Sequence, residues 1–388
     1  MQFLMVRKVS DTSLPNVRES PDYLQMSLAA AMTLGFENGS FYRGAKLYCI
    51  NLLLTYEKGC GASCAYCGLS RVRRVGVDSR SKSFIRVDWP IYSLDEIISK
   101  LNSSFCPHVE RVCVSMVTNP RAREDALVVV KNIRKRSRYL ISTLICPTVV
   151  NGDWLGDLKE SGCDKVGVAI DTATPELFDR LRGSGVNGPH KWAHYWDIIE
   201  KSLEVFGTGN VGAHLMVGLG ETESEIAFVI QKIIEIGARV HLFSFFPEPL
   251  SPMETHPQPS IGQYRRIQLV LYLISNNLTH FEKLVFNEQD QIIDFGLNKA
   301  QLDSHISEGK PFMTTGCPGK TLSVACNRPY ANCTPFQAYM GELRNFPFEP
   351  NQEDVSIIKK QVFDYSNKPA IPTIDRTEIF IKNASCSD

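Results

Sequence analysis

The sequence predicts an α/β protein built as a (β/α)8 barrel of the TIM type, complete or nearly so. Three observations predict it. Strand-like and helix-like segments alternate along most of the chain, the strand-like runs number eight, and 388 residues suffice for one large barrel with added caps. A half-open barrel of six strands is the alternative closure.

The strand-like runs are short, apolar or β-branched, and cover 48–55, 109–117, 139–145, 165–171, 211–217, 240–246, 283–286 and 311–315. Helical periodicity falls between several of them, over 94–101, 123–135, 154–161, 194–206, 222–236 and 264–276. Residues 1–46 read as an N-terminal helical extension with an amphipathic helix over 22–34, and 47–316 as the barrel. Residues 317–388 form a C-terminal segment whose Pro- and Asn-rich part, from about 345, reads as a wrapping tail.

Lys plus Arg and Asp plus Glu balance at 42 each, so charge gives no case for nucleic acid or an anionic membrane. The basic run 71–74 reads as a solvated face. No apolar stretch reaches the ~18 residues of a membrane span, and the first residues lack a leader pattern, so a cytoplasmic enzyme is expected. The 12 cysteines then point to metal ligation more than to disulfides.

Cys60, Cys64 and Cys67 lie in Tyr-Glu-Lys-Gly-Cys-Gly-Ala-Ser-Cys-Ala-Tyr-Cys-Gly, after the first strand-like run. In a barrel this loop opens on the face that carries chemistry. Three thiolates so spaced can each bind a different iron of a cubane, leaving the fourth iron open. A zinc site is the alternative, but no Cys or His follows within thirty residues of Cys67.

This CxxxCxxC pattern, with Tyr66 before the last cysteine, resembles the radical S-adenosylmethionine (SAM) superfamily. The resemblance implies a 4Fe-4S cluster whose open iron chelates SAM, with Tyr66 by the adenine. It also suggests SAM contacts at other strand ends. Ser115, Thr118 and Asn119 would face the ammonium, or else form a turn before Pro120. Asp171 would accept ribose hydroxyls, or cap a helix. Gly218, Gly220 and Glu221 resemble the fifth-strand motif, except that His214 stands where Gly is usual. Phe245 and Phe246 would wall the adenine, or serve as core.

A second trio, Cys317, Cys326 and Cys333, lies in Gly-, Pro- and Asn-rich sequence, whereas Cys106, Cys113, Cys146 and Cys163 lie in or beside apolar segments and read as packing. The loop after an eighth strand neighbours the loop after the first, so both trios are expected at one cavity. A second iron–sulfur cluster is the preferred reading and a zinc knot the alternative. Its fourth ligand stays open among Ser323, another hydroxyl, Cys386 or none.

Over about 25–350 the chain resembles the biotin synthase and lipoyl synthase branch, through Val-Thr-Asn-Pro, Ala-Ile-Asp-Thr and Val-Gly-Leu-Gly-Glu-Thr. It departs from biotin synthases, because the expected fifth-strand cysteine falls at Gly212 and no arginine motif follows Lys283. Thr-Gly-Cys-Pro-Gly, Cys-Asn-Arg-Pro-Tyr and Asn-Phe-Pro resemble instead a component, the first-named, of two-protein lipoyl synthases. That resemblance implies a sulfurtransferase with two 4Fe-4S clusters and SAM. The implied partners are an octanoylated lipoyl-carrier protein, a second radical SAM protein for the other sulfur, and a ferredoxin-like electron donor. Arg328 is placed to steer a protein or cluster ligand. The rivals are a radical SAM enzyme of another reaction with a non-sacrificial second cluster, and a non-catalytic iron–sulfur subunit.

Overall fold

Alternating strands and helices assemble around one sheet in the computed structural model, which describes residues 18–73, 88–103, 106–321, 323–327 and 338–366. Arg328, Cys333 and Cys386 lie outside the described residues. The strands of the sheet are β1 (Tyr23–Met26), β2 (Cys49–Leu54), β3 (Ile91–Ser93), β4 (Arg111–Ser115), β5 (Leu140–Ile145), β6 (Lys165–Asp171), β7 (Val211–Val217) and β8 (Arg239–Ser244). They run in the order β3-β1-β2-β4-β5-β6-β7-β8. The six from β2 onward are parallel, and β1 and β3 add an antiparallel edge. The fold is the expected α/β class, with a mostly parallel, barrel-type sheet of eight strands.

The crossovers are α2 (Leu94–Leu101), α3 (Ala122–Arg136), α4 (Gly152–Glu160), α5 (Pro175–Arg182), α6 (Trp192–Phe206) and α7 (Glu223–Glu235). Their starts are chemically marked. Ser93 with Glu96, and Thr222 with Glu225, form reciprocal capping boxes, and Thr174 caps α5 just before Pro175. One face of the sheet packs against these helices through fully buried Ile50, Leu52, Val112, Val114, Val166, Val168, Ala213 and Leu215. Residues of the other parity line the concave face.

Two expectations change. Residues 22–34 form β1 and then a short helix, α1 (Leu28–Thr33), because the Ser27 side chain accepts the Ala30 N–H and stops the strand. The runs 283–286 and 311–315 do not join the main sheet. The first contributes β9 (Val285–Phe286), which pairs only with β10 (Ile292–Asp294). In the second, Gly309 at φ +70° and Pro311 open a 3-10 turn. The edge of β8 is met by side chains instead: Thr315 accepts the Leu242 N–H at 2.8 Å and Tyr264 donates to the Leu242 carbonyl at 3.4 Å.

The described part of the C-terminal segment packs back on the barrel's helices. After α8 (Ile261–Ser275) and α9 (Lys299–Ser307), helix α10 (Gln352–Val362) packs on both. Two fully buried arginines of α8 hold it. Arg265 donates to the carbonyls of Leu343 and Arg344, and Arg266 to those of Val362 and Asp364 while pairing with buried Glu223 at 2.6 Å.

Candidate cluster and cofactor site

The loop that follows β2 carries Cys60, Cys64 and Cys67 at the C-terminal ends of the parallel strands. Backbone bonds fix it at three points: Gly61 N–H to the Thr118 carbonyl at 2.7 Å, Ala65 N–H to Leu181 at 2.8 Å, and Cys67 N–H to Cys64 at 3.3 Å. Glycine at 61 permits this approach, since a Cβ there would meet the Thr118 carbonyl at 3.0 Å. Cys64 is buried, with Cys60 and Cys67 half-buried, and Cys67 Sγ accepts the Leu69 N–H at 3.4 Å. Burial pushes the Cys64 thiol up to about 12, with Arg182 pulling the other way. One buried and two half-buried thiols that interact with one another, with one backbone N–H already on a sulfur, suit a soft, cationic iron–sulfur core and fit such a cluster.

Beside the loop, Ala62, Ala65, Tyr66, Leu177, Leu181, Leu219 and Phe245 form a small apolar cluster of their own. Tyr66 and Phe245 are thus brought together, whereas Phe246 is half-buried outside that cluster. The Tyr66 hydroxyl donates to Asp171 Oδ2 at 2.5 Å, and Arg182 donates to the same oxygen at 2.7 Å. Asp171 ends β6 at φ +64° and caps no helix, since Thr174 does that. A ribose would meet its other oxygen, or displace the phenol.

Arg182 anchors this corner. It also donates to the carbonyls of Ala169 and Ile170 and to the Tyr195 hydroxyl, which contacts His190 Nδ1 at 2.9 Å. Burial, with Arg182 adding to it, pulls His190 down to about 3. His190 therefore stays neutral, and Arg182 carries the corner's positive charge.

The other rim residues divide. Thr118 touches the cysteine loop through its carbonyl, and its hydroxyl lies 3.4 Å from Cys146 Sγ. Ser115 is buried at the end of β4. Asn119 spends its side chain locally, accepting the Arg121 N–H at 3.0 Å where α3 begins. Gly218 and Gly220 adopt φ of +101° and +113°, and a Cβ on Gly218 would strike Pro259 at 2.5 Å. Glu221 turns back to accept the Gly218 and Leu219 N–H groups at 2.6 and 2.9 Å. Its burial pushes it up to about 7 against the pull of those donors.

Cys317 and Cys326 lie at the other end of the barrel, not on the same rim. They are held side by side in a hairpin: Pro318 bridges Val324, and the Ala325 and Cys326 N–H groups donate to the Cys317 carbonyl at 3.0 and 3.2 Å. The hairpin docks on strand beginnings, with Arg111 Nε donating to Pro318 O at 2.8 Å and the Tyr48 N–H to Asn327 at 3.2 Å. The reversal follows from 311–315 not running as an eighth strand. Ser323 is exposed on the hairpin turn.

Sequence reasoning missed Arg182, Tyr195 and His190, whose meeting requires α5 and α6 to fold onto β6. It also missed the histidines of the concave face. His214 and His241 lie in register with ring centroids 5.1 Å apart, and Gly212 makes the room, because a Cβ there would meet His241 at 2.7 Å.

Residues 56–233 match the model of the Radical SAM superfamily. That region is a radical SAM region. The superfamily implies a 4Fe-4S cluster and SAM, which the thiols of Cys60, Cys64 and Cys67 suit. A biotin synthase from Aromatoleum aromaticum (strain DSM 19018 / LMG 30748 / EbN1) is 24% identical over 207 residues, 52% of this chain and 58% of that protein. The chain thus spans little more than half the length of that relative. Similar solved structures include methylornithine synthase (PylB), at TM-score 0.45 and 13% identity over 64% of this chain and 66% of that one. The FeFe-hydrogenase maturase HydG from Carboxydothermus hydrogenoformans gives TM-score 0.42 and 15% identity over 86% and 81%. Among the described residues no helix is long and apolar enough to cross a membrane.

Proposed function

We propose that this radical SAM enzyme inserts sulfur into an octanoyl chain carried by a lipoyl-carrier protein, working in the cytoplasm beside a second radical SAM protein for the other sulfur. A ferredoxin-like protein is the proposed electron donor. The observation that carries this reading is the placement of two cysteine groups at opposite ends of one concave sheet face. In it, Cys60, Cys64 and Cys67 would hold a cluster that, with SAM, would supply hydrogen-abstracting radical chemistry, and Cys317, Cys326 and Cys333 would hold a second 4Fe-4S cluster as the source of sulfide.

The chain's own residues have distinct tasks. Tyr66, Phe245 and Leu219 enclose the nucleoside end of SAM, and Asp171, held by Arg182, orients the ribose. Ser115 and Thr118 offer oxygens to the ammonium, and the Gly218–Leu219 turn is held open by Glu221. Between the two ends, Leu144, Ala169, Met216 and Phe243 give an acyl chain apolar contact along the concave face. Water is thereby excluded from a radical intermediate. Gly212 supports this reading over a biotin synthase reaction, because the packing of His241 leaves no space for a strand cysteine there.

The test is anaerobic reconstitution with SAM, a low-potential reductant and an octanoyl-lysyl carrier domain, followed by mass spectrometry. Wild type is expected to give deoxyadenosine and a carrier heavier by sulfur. The Cys317→Ala, Cys326→Ala, Cys333→Ala variant is expected to give deoxyadenosine alone. Sulfurated carrier at the wild-type yield from that variant would refute the assignment of the sulfur source.

A further inference from the structure

We propose that Cys49 of β2 and Cys113 of β4 join Cys317 and Cys326 in a four-thiolate iron–sulfur site at the closed end of the barrel. The proposal rests on the reading of Cys317 and Cys326 as cluster ligands, and adds the two strand cysteines to the thiols around them.

Register brings the strand cysteines together. Asn51 pairs with Cys113 and Cys49 with Arg111 across parallel β2 and β4, so Cys49, Asn51 and Cys113 share the concave face. The hairpin that carries Cys317 and Cys326 docks on that face. The Asn51 amide nitrogen lies 3.9 Å from Cys49 Sγ and 3.6 Å from Cys326 Sγ, and the Cys49 thiol is itself in hydrogen-bond contact with Cys326. Cys113 interacts with both Cys49 and Cys317. The four thiols therefore form one neighbourhood.

Two further observations point to a ligand among them. Asn51 Oδ1 and Ser142 Oγ are buried, at residues 5% and 2% exposed, and neither has a hydrogen-bond partner among the described residues. Ser142 pairs with Cys113 in the sheet, so both orphaned atoms belong to the register row of Cys113. Such atoms are costly unless something meets them. Charge is also provided for. Arg111, fully buried and fixed by two 2.7 Å bonds to Asp164, acts on Cys49 and Cys317, and Lys165 acts on Cys317. Lys165, with Arg111 shared between Asp164 and the thiols, offsets part of the negative charge of a cluster ligated by four cysteines. No three Cys, His, Asp or Glu groups among the described residues gather as ligands of one ion. A cluster, in which each thiolate meets a different iron, accommodates wider spacing.

The experiment measures iron and acid-labile sulfide per chain, with electron paramagnetic resonance of the reduced protein, in full-length reconstituted variants. Cys49→Ser with Cys113→Ser is expected to lose one cluster, matching Cys317→Ala with Cys326→Ala. Full iron in the Cys49, Cys113 variant with loss in the Cys317, Cys326 variant would overturn this ligand set and leave the second cluster standing. Full iron in every one of these variants would remove the second cluster itself. Where the double variant fails to fold, Cys113→Ser alone decides: an altered signal of the lower cluster supports ligation through oxygen, and an unaltered one refutes it.

Discussion

The two cysteine groups of this chain are built in opposite ways. The upper three belong to one eight-residue stretch whose backbone bonds fix the loop, so spacing alone positions the sulfurs. At the lower end, the thiols come from a hairpin and neighbouring strands, and only strand register and docking unite them. A local site is legible in sequence and tolerates change elsewhere. An assembled site is neither.

The sharpest way to break this contrast is to remove each group in turn. Cys60→Ala, Cys64→Ala, Cys67→Ala is expected to abolish deoxyadenosine formation, read by chromatography, whereas the lower variants keep it. Equal loss from both ends would erase the functional division.

Arg182→Met tests the rigidity of the upper corner. It strips a pair whose side chains are 6% and 13% exposed, together with two carbonyl contacts. A loss of about 3–5 kcal/mol in urea unfolding is expected for leaving a buried charge unpaired, with weakened SAM binding in equilibrium dialysis. A loss below ~1 kcal/mol would show that the corner is solvated.

Glu221→Gln reads the same end through pH. The folded carboxyl, raised to about 7 from 4.5, holds its proton longer than the unfolded one, so stability falls as pH rises across that window. The variant is expected to flatten a decline of at most ~3 kcal/mol between pH 5 and pH 8. An unchanged slope would assign the titration elsewhere.

Gly212→Ala sharpens the view of the concave face. With a Cβ at 2.7 Å from the buried His241 ring, a cost of about 1–3 kcal/mol is expected. Tyr66→Phe is expected to be smallest, about 1 kcal/mol for one hydrogen bond, with SAM affinity lowered through a less constrained Asp171.

The same contrast explains what the sequence disclosed. The six parallel strands and five of the six crossover helices were legible because short apolar or β-branched runs and helical periodicity mark them locally, whereas the eight-residue α5 (Pro175–Arg182) was not. The run 311–315 misled, because an apolar stretch entering through Pro311 covers a strand edge as well as it extends a sheet. That misplacement carried Cys317 and Cys326 to the wrong rim. Cys49 and Cys113 read as ordinary strand residues, because nothing within a strand announces which thiols a distant hairpin will meet. Arg182 escaped for a similar reason: its partners come from β6, the cysteine loop and α6.

Arg266 reaches from α8 to the carbonyl of Asp364, a partner 98 residues further along the chain. During synthesis, Arg266 can pair with Glu223 at once, but its carbonyl partners at Val362 and Asp364 emerge only much later. The loop of Cys60, Cys64 and Cys67 is complete far earlier. The two ends of the barrel thus come into being at different times, the radical-generating end first and the lower thiol end among the last parts of the molecule to close.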